Sequence, residues 1–113
     1  MILGLVLAAV VGSARADHVI QLETALGNLA YTIGACERVV PDQSADGVVL
    51  TLTGANLDDP TVEQRQYRAL FTGLFVKGRA SGEAGTLSAG ACDRMITELT
   101  DTLHDVAADK TTL

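Results

Sequence analysis

The sequence predicts an all-α fold: a small three-helix domain with one disulfide and a short extended segment between helices 1 and 2. Three observations carry this. Three separate stretches place apolar residues at alternating intervals of three and four, the spacing of one helix face. The only two cysteines, Cys36 and Cys92, fall on the apolar faces of the first and third stretch. The chain has 113 residues, 48% of them hydrophobic and 19% charged, which is room for one domain and too apolar for disorder.

The chain opens with an apolar run of about ten residues, Ile2 to Val11, the length of a signal-peptide core and too short for a membrane span. Gly12-Ser13 and the small-x-small pattern Ala14-Arg15-Ala16 follow, although no Lys or Arg precedes Ile2. We read residues 1–16 as a signal peptide cleaved after Ala16, and 17–113 as the helical domain. The expected address is the periplasm, with no stable membrane insertion after cleavage. The other readings of the segment are a buried N-terminal helix and a retained anchor. An even cysteine count behind an export signal reads as one disulfide, and two cysteines allow only one pairing.

The first helix is predicted over His18–Val40. Its stripe is Val19, Leu22, Leu26, Leu29, Ile33, Cys36 and Val40, and Pro41 ends it, because a residue before proline is pushed out of the α region. Gly27, Ala30 and Gly34 flank that stripe and would let another backbone approach closely. The second helix is expected to start at Asp59 as N-cap with Pro60 in the first turn, and to run to about Arg79. Gly78 and Ser81-Gly82 are read as its stop. Its face, Tyr67, Leu70, Phe71, Leu74 and Phe75, holds both phenylalanines, which places this helix at the centre of the predicted core. The third helix starts between Thr86 and Ser88 and continues to about Ala108, with Ala89, Cys92, Ile96, Leu99, Leu103 and Val106 inward.

Between the first two helices, Gly47–Gly54 alternates with period two and is rich in β-branched residues, which reads as a short strand. Val48, Leu50 and Leu52 would share one side. With no second strand to pair with, the segment is either an extended crossover packed on the helices or an edge that binds another chain, a second copy or a client.

Composition narrows the function. Fourteen acidic against eight basic residues give a net charge of −6, and loss of Arg15 with the leader makes it −7. Nucleic acid is an unsuitable partner for such a chain. No glycine-rich phosphate loop or nucleophile elbow is present, so neither an enzyme nor a cofactor or metal is expected. The one alternative places acid–base or metal chemistry on His104 with Asp101, three residues earlier on the same helix face. Glu98, Asp101 and Asp105 form one acidic row, which is either a solvated face or a docking surface for a basic partner protein.

Leu26 to Cys36 has the form L-G-x-x-x-Y-x-x-x-x-C, and Tyr67-Arg68 begins a Tyr-Arg-x-Leu-Phe run. Together these resemble a group of small exported alphaproteobacterial proteins of unknown function. The resemblance implies periplasmic export and a helical domain, and it brings no catalytic residue. In architecture alone the chain is also similar to the small acid-stress chaperones of the bacterial periplasm. The expected role is therefore a non-enzymatic binding or accessory protein whose partner is another protein, with an acid-activated chaperone as the alternative.

Overall fold

The computed structural model describes residues 2–41, 46–85 and 87–108, with side chains from position 17 onward other than 83 and 84. Four helices build it: α1 (Ile2–Ala35), α2 (Gly47–Thr53), α3 (Val62–Ala84) and α4 (Ala89–Ala108). The all-α class and the disulfide are as expected, and the described residues contain no strand. The number of helices is four, not three.

The additional helix replaces the predicted strand. Asp46 caps α2 by accepting the Val48 N–H at 2.8 Å, and Gly54 closes it with a left-handed φ of 58°. These two ends outweigh the β-branched content between them. The threonines are accommodated within the helix, where Thr51 and Thr53 donate their hydroxyls to the carbonyls four residues back, at 2.9 and 2.7 Å. The inward pair is accordingly Val49 and Thr53, spaced for a helix, rather than Val48, Leu50 and Leu52 in alternation. Val48 and Leu52 still pack against the core from its margin.

The stripe of α1 forms the centre of the core. Leu26 and Leu29 are almost completely buried, together with Cys36, Cys92 and Leu103. The second long helix does not hold that place: in α3 only Tyr67 of the predicted face is buried, and Phe71 and Phe75 are half-buried. Val19 is more exposed than its position in the stripe predicts. The regular helix ends at Ala35, one turn before the expected end, and Cys36 to Val40 continue as turns.

Helix α3 begins later and ends later than its sequence signals suggest. The N-cap is Thr61, whose hydroxyl accepts the Gln64 N–H at 3.0 Å while the Gln64 side chain accepts the Thr61 N–H at 2.8 Å. This reciprocal capping box satisfies two donors at once, which Asp59 followed by Pro60 does not do. Gly78 and Gly82 lie inside the helix, where they are contact points and not stops. A Cβ on Gly78 would lie within 2.7 Å of the Tyr31 carbonyl carbon, and one on Gly82 within 2.8 Å of that of Ala35. On the facing helix, a Cβ on Gly34 would lie 2.9 Å from the Arg79 nitrogen, so the expected close approach at Gly34 is observed. Residue numbers rise together across these contacts, so α1 and α3 run in the same direction.

The disulfide ties the end of α1 to the start of α4, Cys36 to Cys92, with Cα atoms 5.8 Å apart and both residues fully buried. From that anchor α4 returns along α1. Bridging a loop of this length stabilises by about 4 kcal/mol in the chain-entropy model. Arg79 and Glu37 add an ion pair at 3.2 Å near the same end, but both side chains are substantially exposed and contribute little.

The glycine contacts can be tested against a neutral site in the same helix. Gly78→Ala forces two backbones apart and is expected to destabilise by about 1–3 kcal/mol. Gly73→Ala meets nothing within 4 Å and should stabilise α3 by about 0.5–1 kcal/mol. Urea denaturation of the two variants measures both, and equal effects of the same sign would contradict the close packing.

Candidate functional site

Helix α2 lies on α3 and touches α4, and polar groups from both neighbours hold its two ends. At its C-terminus the Gln64 Nε2 donates to the Thr51 carbonyl at 3.1 Å, and Arg68 Nε donates to that of Thr53 at 3.2 Å. Arg68 also donates through Nη2 to the Gly54 carbonyl. These are the carbonyls a helix end leaves without intrahelical partners, and a cation there also favours the negative end of the helix dipole. At the N-terminus, Asp46 Oδ1 lies 2.8 Å from His104 Nε2 of α4.

The partner of His104 is therefore Asp46, 58 residues away in sequence, and not Asp101. Burial pushes the Asp46 carboxyl up. Its bonds to the Val48 N–H and to His104 outweigh burial and hold the group below its ordinary value of 3.8. The pair therefore serves to fasten α2, with Asp46 committed to the helix cap. No group of three or more potential metal ligands occurs among the described residues.

Beneath α2 is a cavity of about 290 Å³. Leu29 and Ile33 of α1, Val49 and Leu50 of α2, Phe71 and Phe75 of α3 and Ile96 of α4 form its apolar walls. Asp46 and Arg68 border it at the two ends of α2, which a seven-residue helix separates by about 10 Å. The volume is near the lower end of the range of small-molecule sites. Arg68 is half-buried, and among the described residues no carboxylate pairs with it.

Of the residues singled out in the sequence, Leu50 lines this cavity, and Val48 and Leu52 pack at the core margin. None belongs to a strand edge, because the segment is helical. Glu98, Asp101 and Asp105 are exposed on α4, as an acidic row requires. Sequence reasoning missed Asp46, Arg68 and Gln64. The Asp46-Gly47 pair before an apolar run and the Thr61-x-x-Gln64 box were available signals for two of them, and nothing local marks Arg68 as a cap for another helix.

A second feature lies where α1 meets the start of α3. Tyr67 is buried there, and burial together with Glu63 and Glu23 pushes its phenol above the ordinary 10.0. Exposed Val19 and Val62 sit nearby.

No family model matches the sequence, and neither a curated protein nor a solved structure matches the chain. Among the described residues no helix is long and apolar enough to cross a membrane.

The Asp46 latch has a defined pH signature. A carboxyl whose value is lowered on folding contributes stability that is complete above the unfolded value of about 4 and is lost as pH falls through the lower folded value. Protection factors of the amides of residues 48–53, taken relative to intrinsic exchange at each pH, should therefore fall in acid below about pH 4, while those of the α1 core are retained. In Asp46→Asn this acid-dependent fall should disappear. Replacement by Ala should cost about 1 kcal/mol for the lost cap. Hydrogen exchange followed by NMR measures all three.

Proposed function

We propose that the protein is a non-enzymatic binding or accessory protein of the periplasm, exported by residues 1–16 and cleaved after Ala16. The observation that carries this reading is the fully buried Cys36–Cys92 bridge, since such bonds persist in oxidising compartments. The polar groups nearest to chemistry, Asp46, His104 and Arg68, are occupied in fastening α2, which favours binding over catalysis. The exposed acidic row Glu98, Asp101 and Asp105 is the surface best suited to a basic partner protein, where charge sets encounter rate and specificity.

Expression of the whole reading frame in a Gram-negative host, followed by fractionation and intact mass, tests the reading. The expected product is a 97-residue chain beginning at Asp17, in the periplasmic fraction and two hydrogens lighter than its reduced form. A full-length cytoplasmic product with two alkylatable thiols would overturn it.

The placement of α2 favours acid activation as a second reading. Its N-cap is a carboxylate, and the helix lines the cavity together with Phe71 and Phe75. Protonation in acid, below ordinary carboxyl values, would release the cap and open an apolar surface to unfolded clients. Under this reading the protein suppresses aggregation of a model client in acid, and Asp46→Asn shows less change between neutral and acid conditions. No suppression by the wild type at acid pH would remove it.

A further inference from the structure

We propose that the cavity beneath α2 binds a single-chain carboxylate of about ten carbons, with its headgroup on Arg68. This deepens the binding reading given above and rests on it. The apolar part of the argument is size. At roughly 30 Å³ for each water-sized group, 290 Å³ accommodates about ten of them, and it is about twice the 150 Å³ apolar cavity that admits benzene. The length agrees: Asp46 and Arg68 stand at opposite ends of a seven-residue helix, about 10 Å apart, with Val49, Leu50, Phe71 and Ile96 between them. An extended chain fits that span better than a compact ring system.

The charge part of the argument fixes the headgroup. Arg68 is a half-buried guanidinium whose described partners are two neutral carbonyls, those of Thr53 and Gly54. A cation in such a setting is poorly compensated, because carbonyl dipoles replace only part of the hydration it gives up. A planar carboxylate matches a guanidinium in geometry as well as charge. The other end of the cavity is unsuited to an anion, since Asp46 is itself a carboxylate. A cation placed there would compete with His104, which already bonds Asp46 Oδ1 together with the Val48 N–H. The arrangement therefore orients an anionic amphiphile in one direction, head to Arg68 and tail toward the N-terminus of α2.

The experiment titrates the purified, oxidised protein with decanoate, decan-1-ol and decyltrimethylammonium, each below its micelle concentration, and follows backbone amide shifts by NMR. Decanoate is expected to saturate and to move the amides of Leu50, Phe71 and Ile96. The alcohol should bind more weakly at the same amides, and the cation at least about tenfold more weakly than decanoate. Arg68→Gln keeps a donor for the α2 carbonyls and removes the charge. It should lose about tenfold more affinity for decanoate than for the alcohol, so residual alcohol binding corrects for any loosening of α2 and reports that the variant is folded. If that variant does not fold, the three-ligand series on the wild type decides alone. No saturable decanoate shift, equal binding of the cation, or a loss in Arg68→Gln no greater for decanoate than for the alcohol overturns the proposal. Failure here would leave the cleaved, periplasmic, disulfide-bonded product untouched, so the two readings fail separately.

Discussion

The architecture follows from the backbone-to-backbone contact of α1 with α3. Gly34 on one helix and Gly78 and Gly82 on the other remove the side chains that would hold the axes apart, and the carbonyls of Tyr31 and Ala35 occupy that space. Because the two helices point the same way, the chain must travel back along the bundle between them. The start of α3 lies beside Val19 and its end beside Ala35, so the return covers about 24 Å at 1.5 Å per residue of helix. A tight turn cannot do this. The return lies between residues 36 and 61, and α2 is the helix within it.

This explains why the most polar contacts of the fold gather on its shortest helix. Seven residues are far below the length at which a helix is stable alone, and α2 buries only Val49 and Thr53. Its permanence therefore depends on what neighbours supply to its ends. Gln64 and Arg68 donate to the last carbonyls, Asp46 accepts the Val48 amide, and His104 fixes Asp46 in turn. A helix held at its ends and lightly packed in its middle leaves space beneath it. The cavity is that space, and its two charged borders are the same groups that hold the helix.

The sequence showed the parts of this fold that depend on local periodicity. The stripes of α1 and α4 needed only the 3–4 spacing, and Cys36 and Cys92 could be paired because each sat in phase with a stripe. Helix α2 was illegible for the opposite reason. Val48 to Thr53 alternates as a strand would, and only the capping residues on either side choose the helix. Gly78 and Gly82 were misread as terminators because glycine carries the same signal whether it ends a helix or brings a second helix close, and only the partner backbone distinguishes the two. The Asp46–His104 pair spans 58 residues, a distance at which no local pattern links the partners. What sequence reading missed in the candidate site is consistently what one element contributes to another.

The position of the disulfide also determines how the molecule bears tension. Cys36 and Cys92 are bonded across the bundle, so all of α2, all of α3 and the segments that join them lie inside one covalent ring. A pull on the two ends of the chain passes from Cys36 straight to Cys92 through sulfur, and the residues between them carry no load. Mechanical stress can peel α1 from α4 only outside that ring, while α2 with its cap Asp46 and most of the cavity wall remain in the slack, shielded part of the chain, and only His104, the far half of the latch, lies on the loaded side. With the thiols reduced, the same pull runs through the return segment first, and α2, the helix with the least packing, lies directly in its path.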